Sequence, residues 1–157
     1  MTVRKDGGKL TDQRESPTDA LADYRLEDQV GFLLRLVSQR HSAIFAEGIG
    51  DGLTPTQFAA VAKLFELGPM SQNELGRQTA MDGATIKGVV DRLRARALVG
   101  TRPDPSDARR HLVEPTDQGR AVVARAIPAA RRITEKTLEP LNPVERDTLL
   151  KLLRRIT

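Results

Sequence analysis

Three helix-start signals follow one another at short intervals in the middle of the chain. The stretch "LTPTQF" offers Thr54 as an N-cap before a proline, and Gln57 is placed to close a capping box. The stretch "MSQNEL" offers Ser71 and Glu74 in the same roles, and "MDGATI" offers Asp82 as a third cap. These signals predict helices of about 14, 9 and 15 residues with short connections. A short second helix, a tight turn and a longer third helix are typical of a helix-turn-helix.

The hydrophobic period changes after Leu98. The runs "LVGTRPD" and "RRHLVEPT" alternate like strands and flank the turn residues "PSDA", so they predict a β-hairpin. A helix-turn-helix followed by a hairpin is a winged helix. The predicted fold is therefore mainly α with a small β-hairpin.

Long amphipathic helices are predicted on both sides of this unit. An apolar stripe at three- and four-residue steps ends near Gly48 and Gly50, and it consists of Leu26, Val30, Leu33, Val37 and Ile44. Thr116 caps a second long helix, in which Pro128 is expected to cause a kink or a missing hydrogen bond. Asn142 begins the last helix.

These patterns divide the chain into an arm, a helical dimerisation region and a winged helix. Residues 1–19 are polar and predict a flexible arm. Residues 20–50 and 117–157 form the predicted dimerisation region, and residues 51–116 form the winged helix-turn-helix. A single winged helix could not cover every apolar face of the terminal helices, so we expect a homodimer built from both chain ends.

Composition narrows the class of function. The 157 residues carry a formal net charge of +4 and a pI near 9.8, which favours a polyanion or an acidic ligand as partner. The absence of cysteine excludes thiolate metal sites and thiol redox sensing, and the two histidines make a poor transition-metal site, so neither metal nor cofactor is expected. The sequence contains no motif for a catalytic nucleophile or a phosphate-binding loop, so we do not expect an enzyme. The lack of a signal peptide or a spanning apolar run predicts a cytoplasmic protein with no membrane partner.

The stretch from "LTPTQF" to "EPTDQG" resembles the core of a MarR-type transcriptional regulator, and the likeness extends over roughly residues 24 to 157. The wing and following residues that match the family's spacing are Arg102, Asp104, Asp107, Arg109, Thr116 and Gly119. Ala97 stands where the family usually has glycine, and Pro115 where it often has leucine. Ala97 must therefore adopt a positive φ or end the helix differently. The stretch "LEDQVGFLLRLVSQRHSAIF" is similar to the sub-group that controls hydroxynicotinate breakdown.

The resemblance implies a recognition helix that begins after Asp82 and enters the major groove of a palindromic operator in double-stranded DNA, which would associate the protein with the nucleoid. Arg109 of the wing would enter the minor groove, and Asp104 and Asp107 would brace the wing. The complete set of predicted DNA contacts is Ser71, Gln72, Gly83, Ala84, Thr85, Lys87, Arg92, Arg102, Arg109 and Arg110. The alternatives are a solvated basic face, or a winged helix that binds proteins without specific DNA binding.

The same resemblance implies a small aromatic carboxylate or phenolic effector that releases a repressor from DNA. His41 lies on the apolar stripe of the first helix, where it is either a hydrogen-bonded core or interface residue or a ligand contact. The predicted ligand-binding set is Ser38, Arg40, His41, Phe45 and Phe58.

Overall fold

A computed structural model describes residues 24–157 of the chain, so the predicted arm at residues 1–19 lies outside the described residues. The chain divides into two compact units, with the boundary after Leu36, inside the first long helix. The elements in chain order are a short 3-10 helix (Leu26–Asp28), α1 (Val30–Gly48), α2 (Pro55–Leu67), β1 (Met70–Ser71), α3 (Gln72–Gln78), α4 (Gly83–Ala95), β2 (Val99–Asp104), β3 (Asp107–Pro115), α5 (Asp117–Thr137) and α6 (Pro143–Ile156). The predicted fold class, mainly helical with a small antiparallel sheet, is confirmed.

The three predicted caps Thr54, Ser71 and Asp82 all begin helices, but only one of the two predicted capping boxes is complete. The hydroxyl of Thr54 accepts the Gln57 N–H at 3.3 Å, and the Gln57 side chain accepts the Thr54 N–H at 3.2 Å, which completes the predicted capping box. Ser71 accepts the Glu74 N–H at 3.2 Å, but the predicted second half of that box is wrong. The Glu74 carboxylate instead accepts hydrogen bonds from Arg77 and Gln78, which lie one turn further along the helix.

The sheet has three antiparallel strands, with β3 in the centre between β1 and β2. The hairpin register runs from Val99 opposite Pro115 to Pro103 opposite His111. Strand β1 pairs Ser71 with Leu112, and the sequence did not predict it because two residues are too few to show a period. This pairing places the start of α3 beside the wing.

The core beneath the helix-turn-helix is largely aliphatic, as the low aromatic content predicts. Its largest fully buried side chains are Leu64, Leu75, Ile86, Leu93, Leu98, Val61, Val89 and Val123. The start of α5 packs closely against the end of α4: the Thr116 hydroxyl donates to the Ala97 carbonyl at 2.7 Å, and a Cβ on Gly119 would lie 1.9 Å from the Leu98 carbonyl oxygen. Only glycine allows this approach.

The terminal helices expose apolar side chains. Helix α1 begins at Val30, later than the stripe from Leu26 suggests, because Gln29 is extended and closes the preceding 3-10 turn by donating its N–H to Leu26. Helix α5 continues through Pro128 without ending there. Helix α6 has no buried residue, although leucines recur along it.

Candidate nucleic-acid interface and effector site

The first turns of α4 present small and polar side chains to solvent. Asp82 caps the helix by accepting the Thr85 N–H at 2.7 Å and the Thr85 hydroxyl at 3.1 Å. These two hydrogen bonds, the backbone one first, lower the pKa of Asp82 below its usual value. The predicted contacts Gly83, Ala84 and Thr85 are all exposed. Because the Thr85 proton is held by Asp82, the hydroxyl oxygen is presented as an acceptor.

Lysine and arginine side chains continue this face of α4. Lys87 Nζ lies 2.9 Å from Asp91 Oδ2, and this hydrogen bond lowers the pKa of Asp91. The guanidinium of Arg92 lies over Gly88, 3.4 Å from the position that a Cβ would occupy there. An exposed ion pair contributes little net free energy, so Lys87 can exchange its carboxylate for a phosphate at small cost.

Two acidic residues accept hydrogen bonds from their neighbours at the tip of the wing. Asp107 accepts the Arg109 N–H at 3.0 Å and lies 3.5 Å from Nε of Arg110. Asp104 accepts the hydroxyl and the N–H of Ser106 at 2.7 and 2.8 Å, and these bonds lower its pKa. The Arg109 side chain is exposed, so the wing carries a cation at its surface.

A groove of about 390 Å³ joins the start of α3 to the wing. Its lining consists of Ser71, Gln72, Asn73, Arg77, Arg110 and His111. It brings three predicted contacts together with Asn73, Arg77 and His111, which the sequence reasoning missed. The position of Asn73 in the first turn of α3 could have indicated it, whereas His111 reaches the groove only through the unpredicted β1–β3 pairing. Arg102, another predicted contact, is not among the residues that line this groove. Its Nε forms an ion pair with Glu114 at 2.9 Å across the hairpin.

His41 connects α1 to the end of α5. Its Nδ1 lies 3.0 Å from the Thr137 hydroxyl, and that hydroxyl donates its own proton to the Ile133 carbonyl at 2.7 Å. Nδ1 of His41 must therefore be the donor, which leaves Nε2 of the neutral ring as an acceptor. Arg40, the residue before it, donates from Nη2 to the Lys136 carbonyl at 3.2 Å.

The predicted aromatic residues lie in a row beside His41. The ring centroids of His41 and Phe45 are 6.1 Å apart, and those of Phe45 and Phe58 are 6.0 Å apart. Phe45 is buried in the core, whereas Ser38 is exposed on α1. An open groove of about 370 Å³ lies on adjoining turns of α1 and α5, where the sequence reasoning placed no site. Its apolar floor includes Ile44 and Ile133, and Arg132 forms part of its rim.

Within residues 24–157, no group of three His, Asp or Glu side chains is placed to hold a metal ion. None of the helices in this part of the chain combines the length and the apolar character needed to cross a membrane.

Comparison with known proteins places this geometry in a family. The MarR family profile matches residues 53–111. The HTH-type transcriptional repressor NicR of Pseudomonas putida is 45% identical over 148 residues, which cover 92% of this chain and 94% of NicR. A probable transcriptional regulator from Pseudomonas aeruginosa has a structure that superposes with a TM-score of 0.83 at 53% identity, over 85% of this chain and 100% of that one.

BpsR of Bordetella bronchiseptica, whose DNA binding is regulated by 6-hydroxynicotinic acid, superposes with a TM-score of 0.81 at 43% identity, over 85% of this chain and 96% of BpsR. This likeness agrees with the predicted hydroxynicotinate-related sub-group. The chain belongs to the MarR family, and it is a transcriptional regulator rather than an enzyme.

Proposed function

We propose that this regulator is a homodimeric repressor that binds a palindromic DNA operator and is released by a hydroxypyridine carboxylate. The observation that carries the proposal is the exposure of the first turns of α4 and of the wing arginines: the small residues of α4 allow close approach to bases, and the exposed cations suit phosphates. The similarity to a repressor over nearly the whole chain supports the sign of regulation.

The DNA contacts divide between bases and backbone. Gly83, Ala84, Thr85 and Lys87 are exposed at the start of α4, the part of a recognition helix that reaches base edges. Arg109 enters the minor groove. The backbone contacts are Ser71, Gln72, Arg92, Arg102 and Arg110. Each phosphate neutralised adds about 0.9 to the slope of log affinity against log salt, so binding is expected to weaken steeply with salt.

Exposed apolar residues support the dimer. Their exposed fractions include 66% for Val30, 55% for Val37, 74% for Val144 and 70% for Ile156. Side chains of this kind along both terminal regions gain free energy when a second copy covers them. Residues 20–50 and 117–157 are accordingly the dimerisation region, and residues 51–116 the DNA-binding domain. A two-fold dimer matches half-sites about one helical turn apart.

The effector site is the row formed by His41, Phe45 and Phe58, with Arg40 and Ser38 nearby on α1. Nε2 of His41 can accept the N–H or O–H of a hydroxypyridine ring. The five donors of the Arg40 guanidinium exceed the one that it uses toward Lys136, so Arg40 can also bind a carboxylate. The regulation of BpsR by 6-hydroxynicotinic acid supports this ligand class. Release requires that the ligand bind more tightly to the conformation that cannot bind DNA.

The test is fluorescence anisotropy with the duplex upstream of the protein's own coding region. Arg109→Ala should weaken binding to this duplex more than Arg131→Ala, which removes an equal charge from an exposed position on α5. Equal losses from both variants would remove the minor-groove role. Wild-type binding no tighter than to scrambled DNA would favour the protein-binding module instead.

A further inference from the structure

The loop between α1 and α2 has an unusual backbone. Three consecutive residues have positive φ, at 71° for Gly50, 50° for Asp51 and 58° for Gly52. The two glycines accept this conformation readily, and aspartate is one of the few other residue types that visits it, at a small cost. Neighbouring helices contact this loop at Asp51 and Gly52.

Arg96 supplies contacts from the recognition helix. It is the C-cap of α4, and its guanidinium donates to the Asp51 carbonyl at 2.5 Å and to the Gly52 carbonyl at 3.2 Å. The same group lies 3.4 Å from Oε1 of Gln57, a buried side chain in the first turn of α2. One arginine thus joins the end of the recognition helix to the segment that leads from α1 into α2.

Helix α5 holds the same loop from another direction. Nη2 of Arg125 lies 3.2 and 3.4 Å from the two carboxylate oxygens of Asp51. Arg96 therefore binds the Asp51 backbone while Arg125 binds its side chain. The position of the loop therefore depends on arginines from two different helices, and loss of either contact would remove one of the groups that hold Asp51.

We propose that Arg96 is a positioning residue that holds the recognition helix in its DNA-binding orientation and carries changes in α1 to it. Helix α1 bears His41 and Phe45 and ends immediately before this loop. A shift of its last turns changes the carbonyls that Arg96 binds, and Arg96 lies at the end of α4. This inference rests on the proposed function, because α4 is taken as the DNA-reading helix and α1 as part of the effector site.

The test compares Arg96→Met with Arg94→Met in the full-length protein. Arg94 is an exposed arginine on the same helix and takes no part in the contacts to the loop, so its replacement controls for the lost charge. Circular dichroism first establishes that both variants are folded at the assay temperature. Hydrogen exchange without DNA or ligand then measures protection, and anisotropy measures the affinity ratio between the specific duplex and scrambled DNA, with and without 6-hydroxynicotinic acid.

We expect Arg96→Met to raise exchange both in the loop at residues 50–53 and in the turn at residues 96–98. It should also lower the specificity ratio and reduce the effect of 6-hydroxynicotinic acid by about three-fold or more, whereas Arg94→Met retains wild-type ratios. Loosening of the loop alone, or unchanged ratios in Arg96→Met, would overturn the proposal.

The wild-type arms separate this inference from the proposed function. If 6-hydroxynicotinic acid does not change the DNA affinity of the wild-type protein, this acid is not the effector. If the wild-type protein binds the specific duplex and scrambled DNA equally well, the proposed operator is refuted. In either case, hydrogen exchange still decides whether Arg96 joins the loop to α4. If Arg96→Met does not fold, hydrogen exchange in the wild-type protein provides the test. Protection at residues 50–53 and at residues 96–98 should change together when 6-hydroxynicotinic acid or DNA is added or as urea is raised. Independent changes would contradict a connection between the loop and α4.

Discussion

Replacing Gly119 by alanine would place a methyl carbon 1.9 Å from the Leu98 carbonyl oxygen. A carbon and an oxygen in ordinary contact are about 3.3 Å apart, so α5 must move by roughly 1.4 Å. That movement stretches the 2.7 Å bond from Thr116 to Ala97 and the 3.1 Å bond from the Thr116 N–H to Leu98. Overpacking and weakened hydrogen bonds together are expected to lower the free energy of unfolding by about 3 kcal/mol.

A loss of this size corresponds to a fall in Tm of about 10 °C for a chain of this length. Thermal unfolding followed by circular dichroism measures it, at one protein concentration because dimerisation contributes to Tm. Gly83→Ala is the matched control, since a Cβ at Gly83 meets nothing within 4 Å. A Gly119→Ala protein whose Tm lies within about 2 °C of the wild type would refute the close-packing argument.

Four further substitutions test separate parts of the account. Ala97→Gly should raise Tm by about 2–4 °C, because φ at this residue is 54° and glycine removes the strain; an unchanged Tm would argue against a left-handed residue there. The pKa of Asp82 is lowered in the folded state, so the stability that this carboxylate contributes is present above its unfolded pKa and is lost as pH falls through its folded pKa. In urea unfolding between pH 5 and pH 2.5, the free energy of unfolding should therefore depend less on pH for Asp82→Asn than for the wild type. An identical dependence in the two proteins would contradict this. Val37→Arg should shift the dimer toward monomer in sedimentation velocity, whereas Leu67→Arg, at an equally exposed position on α2, should not. His41→Ala should weaken binding of 6-hydroxynicotinic acid by about ten-fold in calorimetry, and unchanged affinity would remove this residue from the effector site.

Local signals in the sequence were sufficient to predict the helix-turn-helix and the hairpin of the wing. The caps Thr54, Ser71 and Asp82 begin helices where predicted, because a capping side chain and the N–H that it binds lie within three residues. Ala97 stands where the family usually has glycine, and this substitution predicted either a positive φ or a different helix end. The structure has the positive φ at this residue.

Contacts between distant residues could not be predicted in this way. The binding of Arg96 to Asp51 and Gly52 joins residues more than forty positions apart, with no pattern in either segment to indicate it. The strand pair that places His111 beside α3 is equally non-local. Two residues predicted to contact DNA, Arg102 and Lys87, form ion pairs with Glu114 and Asp91 in the structure. The sequence could not predict these pairs, because they depend on where the side chains lie.

The most direct test of the central claim is anisotropy of the wild-type protein with the duplex upstream of its coding region, across a salt series and with added 6-hydroxynicotinic acid. We expect tighter binding to this duplex than to scrambled DNA, an affinity that falls steeply between about 50 and 200 mM salt, and an affinity about ten-fold lower with the acid. Equal affinity for both duplexes, with no change on adding the acid, would contradict a ligand-released repressor acting at this site.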